Sequence, residues 1–192
     1  NPPDNRVASL GSLTKTGTGP VTVDQIHLSG DLGTASTTAL AVDTIITMRV
    51  GRDVLGRISA VNTSFDQNFL VGRHFLGDLT VSNGSVTNLD VTGDIGNSTS
   101  PVTITIGGNL VRVQAANVYA DLQVTGAVQT FRVIGSPGDF VGSFEAGRLD
   151  VVAGGTGEFY TAGQVIVDPN GFTINGDVAV PAAFNSTGVG PH

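Results

Sequence analysis

Val50-Gly51-Arg52-Asp53-Val54-Leu55-Gly56-Arg57 is answered further along the chain by Val71-Gly72-Arg73-His74-Phe75-Leu76-Gly77-Asp78. Asn62 and Ser64 return at the same spacing as Asn83 and Ser85. Outward from this pair, glycine stands at Gly30, Gly51, Gly72 and Gly93; Gln114 takes the next place and Gly135 the one after. The series slips by one to Gly155 and continues at Gly176. A fixed period of this size marks stacked supersecondary units, each unable to bury its apolar face alone. Twenty-one residues are too few for a helical pair and fit one coil of a parallel β-helix.

Short alternating runs precede most of these glycines, as in Ile26-His27-Leu28, Leu89-Asp90-Val91 and Phe131-Arg132-Val133. Alternation sends apolar side chains to one face and polar ones to the other. Leu79-Thr80-Val81, Val102–Ile106 and Val165-Ile166-Val167 mark further strands, so three short strands per coil are expected. Val111 and Val113 fall one place later than Leu89 and Val91, a slip that a bulge can absorb. The expected fold is all-β: a parallel β-helix (β-solenoid) of about 21 residues per coil and seven to eight coils over residues 23–180. Residues 1–22 read as an extended N-terminal arm or cap, and residues 181–192 as a C-terminal tail.

Composition agrees. Glycine makes up 27 of 192 residues, charged residues only 13%, and Val, Ile and Thr favour pleated surfaces. Net charge is −7 and Lys15 is the only lysine, which argues against a nucleic-acid partner, since that needs a basic face. With no cysteine there is neither a disulfide nor a cysteine metal site. No apolar run is long enough to span a bilayer as a helix. The start, Asn1-Pro2-Pro3-Asp4, reads as a processed terminus or a fragment.

Aligned on the glycines, charges form a ladder. Asp31, Arg52, Arg73 and Asp94 follow one another in successive coils, and Arg57 precedes Asp78. Arg52 is expected to lean toward Asp31 and Arg73 toward Asp94. Chemistry-bearing patterns are sparse. His27, His74 and His192 do not share a column, and no Gly-x-Ser-x-Gly elbow occurs. Enzyme activity is therefore not expected.

No cofactor is expected either. Calcium is the one ion raised, by Gly-Asp pairs at Asp31, Asp78, Asp94, Asp139 and Asp177; Gly154–Phe159 misses the calcium-binding nonapeptide because Phe159 stands where Asp is needed. Thr103-x-Thr105 stands alone in its glycine-aligned column, too little for an ice-binding face. Asn62, Asn83, Asn97 and Asn185 each begin an Asn-x-Ser/Thr sequon and are candidate glycosylation sites.

The turns Gly30-Asp31-Leu32 and Gly108-Asn109-Leu110 within Val/Thr/Gly/Asn-rich coils resemble those of secreted bacterial β-helical surface and adhesin-like proteins over residues 23–180. A second resemblance is to the bactofilins, small β-helices that polymerise end to end. Both imply a structural protein. Neither supplies functional residues. The expectation is an extracellular or cell-surface subunit of a filament, sheath or surface layer, partnered with itself through its coil ends or N-terminal arm, and with surface polysaccharide as a further partner. The alternative is a β-helical carbohydrate-binding or polysaccharide-degrading module.

Overall fold

The computed structural model describes residues 8–62, 64–65, 68–136, 138–150, 158–161, 165–174 and 178–179. In chain order the strands are β1 (Leu13–Thr14), β2 (Thr22–Leu28), β3 (Thr38–Val42), β4 (Thr44–Val50), β5 (Arg57–Ala60), β6 (Ser64–Phe65), β7 (Asn68–Val71) and β8 (Leu79–Val81). They continue with β9 (Ser85–Val91), β10 (Val102–Ile106), β11 (Leu110–Ala115), β12 (Val118–Val133), β13 (Phe140–Asp150), β14 (Glu158–Thr161), β15 (Val165–Ile174) and β16 (Val178–Ala179). Among the described residues there is no helix, and every strand pair is parallel.

Each turn contributes three walls. The first is a ladder β1-β3-β5-β8-β10, joined by the first part of β12. The second is β2-β4-β7-β9-β11, joined by the last part of β12. The third is a column of single bridges: Leu10, Leu32, Val54, Phe75, Ile95, Val118 and then Phe140. Strands of the same wall pair one turn apart, so the chain is a parallel β-solenoid.

The described chain makes about six turns of about 21 residues. This is slightly fewer than the seven to eight expected from the glycines, because that count ran on through Gly155 and Gly176, which lie outside the described residues. The period also stretches there: Phe140 pairs with Val165, a longer step than the one from glycine to glycine. Six turns at the strand spacing rise about 30 Å.

Alternation explains the core. Leu40, Ile58, Leu79, Ile104, Leu122 and Phe144 form one buried column on the first wall. Ile26, Met48, Phe69, Leu89, Val113 and Phe131 form another on the second. Large and small residues share a turn, which keeps the cross-section filled: Phe69 sits with Ala60, and Phe140 and Phe144 with Ala146. Phe69 and Phe75 meet edge to face at 5.6 Å between centroids. Phe131 meets Phe140 at 5.4 Å and Phe144 at 5.7 Å in the same way.

The glycines mark the corner between the second wall and the bridge column. A Cβ on Gly51 would lie 2.5 Å from the Ser29 carbonyl oxygen, and one on Gly72 would strike the carbonyl of Gly51. The corner is thus packed backbone on backbone. Gln114 does not belong to it: Ala116 donates to the Gly93 carbonyl and Gly135 to the Ala116 carbonyl, so Ala116 fills the fifth place.

The offset arises in the loop after β9. There Asn97 and Ser100 bridge each other and close a short excursion, and the step from Leu79 to its partner Ile104 is longer than the one from Ile58 to Leu79. The next step, from Ile104 to Leu122, is correspondingly short. The slip expected at Val111 is corrected by the same register: Leu110 pairs with Val86 and Val113 with Leu89, and both point inward, while Val111 is half-buried.

Within the segment 1–22, Leu10 bridges Leu32, and Leu13–Thr14 pair with Leu40–Ala41. Lys15 Nζ lies 2.7 Å from Asp43 Oδ2, which also accepts the Val21 N–H at 2.7 Å. The Lys15 ammonium, followed by the Val21 N–H, holds the Asp43 carboxyl below its ordinary value of 3.8. The chain's only lysine thus latches the first turn onto the second.

Candidate functional site

A polar ladder runs beside the bridge column. Each of its residues immediately precedes a bridge residue, and each hands an acceptor to the backbone of the next turn. The Asp31 N–H donates to Ser9 Oγ at 3.0 Å, and the Asp53 N–H to Asp31 Oδ1 at 3.1 Å. His74 N–H donates to Asp53 Oδ1 at 2.9 Å, and Asp94 N–H to His74 Nδ1 at 3.0 Å. Asp94 Oδ1 accepts from the Asn117 N–H at 3.1 Å and from Asn117 Nδ2 at 2.7 Å. Asn117 Oδ1 then accepts both the Gly138 and Asp139 N–H groups at 3.0 Å. Because His74 Nδ1 is an acceptor here, the ring is neutral with its proton on Nε2. The 3.7 Å separation of that acceptor nitrogen from Asp94 Oδ2 is therefore not an ion pair in this arrangement. The ring also occupies the space above Gly93: a Cβ there would lie 2.8 Å from His74 Nδ1.

Alignment on the strict glycine interval missed this ladder, because the step from Asp31 to Asp53 is 22. The local signal was present: a polar residue, an apolar one, then Gly within two places. It reads Asp31-Leu32-Gly33, Asp53-Val54-Leu55-Gly56, His74-Phe75-Leu76-Gly77, Asp94-Ile95-Gly96 and Asp139-Phe140-Val141-Gly142.

The arginines lie outside it. Arg52 Nε is 3.7 Å from Asp31 Oδ1, and Arg57 Nε is 3.5 Å from Asp78 Oδ2. Arg73 reaches Asp53 at 3.6 Å and not Asp94, because the longer step sets Asp53 rather than Arg52 against Asp31 and puts a carboxylate within Arg73's reach. These half-exposed pairs contribute at most about 1 kcal/mol each.

The other sequence candidates fall in separate places. Of the Gly-Asp carboxylates, Asp31 and Asp94 are ladder members, Asp78 accepts the Thr103 N–H at 2.9 Å, and Asp139 begins the next bridge. Among the described residues no group of three His, Asp or Glu could hold a metal ion. Asp177, Asn185, His192 and Gly154–Gly157 lie outside the described residues.

Asn62 and Asn83 are exposed on adjacent turns of one corner. Asn97 Oδ1 folds inward, accepting from the Thr99 N–H, Thr99 Oγ1 and Ser100 N–H at 3.0, 2.8 and 2.8 Å. Thr105 does not stand alone: the excursion brings it into register with Thr80, and Thr80 with Ser59, while Thr103 pairs with Asp121. One hydroxyl row beside a row bearing Arg57, Asp78 and Asp121 does not make a flat threonine face.

Two recesses lined by described residues bear on function. One, of about 250 Å³, lies beside Thr38, Arg57, Asp78 and Ser100, and its charges are paired with each other. The larger, about 420 Å³, is an open trough along the second wall. Its rim is the outward row His27, Arg49, Leu70, Asp90 and Gln114, in register on five successive strands. Its floor includes Gly51 and Gly72. The recurrent glycine thus has a second effect: it leaves a hollow beside a row of long side chains.

Within the trough, Asp90 Oδ1 lies 3.3 Å from Arg112 Nε, and Arg112 also donates to Gln114 Oε1 at 2.8 Å. Among the described residues, the side chains of His27 and Arg49 have neither an ion-pair nor a hydrogen-bond partner. No described helix is long and apolar enough to cross a membrane.

No family model matches the sequence, and no curated protein or solved structure matches it significantly. The likeness to β-helical proteins therefore stands at the level of the parallel β-solenoid fold.

Proposed function

We propose that this chain is a structural, non-enzymatic protein: a stiff extracellular or cell-surface subunit that joins copies of itself through the end of its solenoid into a filament, sheath or layer. The observation that carries the reading is strand β2. It is seven residues long, pairs only with β4 among the described residues, and is the outermost strand of its wall. Among the described residues no strand pairs with its other side, and an edge of that length is a template for strand addition. The adhesin-like and bactofilin resemblances belong with this reading. The glycan-module alternative draws on one observation, the trough over Gly51 and Gly72.

Electron microscopy of the native protein tests the assembly, with Asp24→Pro and Gln25→Pro as paired variants. Successive N–H groups along a parallel strand face opposite sides, so one of the two variants removes an outward donor. Ordered polymers that one variant disperses, with its β-sheet circular dichroism retained, support strand addition at β2. Dispersed single rods of the unaltered protein at all concentrations would overturn it.

A further inference from the structure

We infer that the trough over Gly51 and Gly72 is a binding site for an acidic glycan, a carbohydrate chain bearing carboxylates, laid along the solenoid axis. The inference takes up the glycan-module alternative and does not rest on end-to-end assembly, although His27 lies on β2, the strand proposed as the joint.

Three features of the trough set the ligand's chemistry. First, it lies on the face of a sheet whose backbone groups are spent on the ladder above and below. A peptide strand would find no main-chain partners there, so the ligand must bring its own acceptors and hydroxyls. Second, the free side-chain donors include a cation, Arg49. His27 and Arg49 stand opposite each other on adjacent strands, about 4.8 Å apart, a separation one carboxylate can bridge. The neighbouring charges are already committed: the Asp90 carboxylate faces Arg112, and Arg112 holds Gln114. An unpaired arginine on a chain of net charge −7 is an exception to its surroundings and attracts an anion locally. Third, the trough is open and shallow, with half-buried Leu70 midway along the rim. That is a surface for the C–H face of a sugar ring, with no deep apolar pocket for a side-chain anchor.

The experiment is isothermal titration of the full chain with hexagalacturonate, with maltohexaose and hexaglutamate as comparisons. Saturable binding of hexagalacturonate that weakens with salt is expected, with maltohexaose at least about ten-fold weaker. Arg49→Ala should weaken the acidic glycan about ten-fold or more, His27→Ala by less, and Arg57→Ala, in the other recess, not at all. Both trough side chains are exposed, and an unchanged melting temperature verifies that each variant folds. No saturable binding, equal binding of maltohexaose or hexaglutamate, or full affinity in Arg49→Ala would each overturn the inference. Binding by single rods, or polymers that ignore the glycan, separates this result from the fate of the assembly reading.

Discussion

The turns from Leu32 to Phe75 and those from Phe75 to Val118 build the same object by different means. In the first region the bridge column advances by nearly equal steps, Leu32 to Val54 and Val54 to Phe75. In the second, a short step from Phe75 to Ile95 is followed by a long one to Val118. On the first wall the contrast is larger: a regular step from Ile58 to Leu79, then a long one to Ile104 and a short one to Leu122. Yet the core columns run through both regions without a gap. A solenoid fixes what stacks on what. It does not fix how many residues a corner takes, provided each strand finds its neighbour.

The largest test of this equivalence lies in the core. Phe131→Ala and Phe75→Ala should each cost about 3–5 kcal/mol in urea denaturation, with Phe131 at the upper end. Among the described residues, Phe131 meets two rings edge to face and Phe75 one. A larger loss at Phe75 would mean that the interior is tighter where the two regions meet than in the turn beyond Val118.

The ladder gives a finer test. Asn117→Ala strands two backbone donors, on Gly138 and Asp139, while Asp53→Ala strands one, on His74. Expected losses are about 2 and about 1 kcal/mol by the same measurement. Equal losses would show that Asn117 gains nothing from accepting a second hydrogen bond.

The smallest effect sets the first turn against both regions. Its latch depends on ionised Asp43, whose folded-state affinity for the proton is lowered. The stabilisation is present in full above the ordinary value of 3.8 and is lost as pH falls below it toward the folded-state value. Amide-exchange protection, measured against the intrinsic rate at each pH, should therefore fall at Leu13–Val21 on acidification before it does at β8–β10. Asp43→Asn should abolish that difference; its persistence would mean that another carboxylate holds the turn.

The architecture was legible from Gly30, Gly51, Gly72 and Gly93 because at these four places the backbone of the preceding turn leaves no room for a Cβ. The same glycines misled beyond residue 93. The Asn97–Ser100 excursion moves the corner to Ala116, which packs there with a single methyl and so leaves no glycine to count. The ladder was hidden for a related reason: Asp, His, Asn and Ser interchange as acceptors, so the column has a chemistry and no consensus letter. Arg49 could not be singled out at all, and His27 only as one of three histidines that share no column. Their interest lies in what fails to reach them, and only three-dimensional register reveals that.

The bridge between Asn97 and Ser100 also makes the chain enter and leave its excursion at neighbouring points. Whatever length is spliced between those two residues starts and finishes at the same spot on the rod's flank. The molecule thus carries a mounting bracket: cargo hung there would project sideways at a fixed height, and the pitch of the coils above and below would not register its weight.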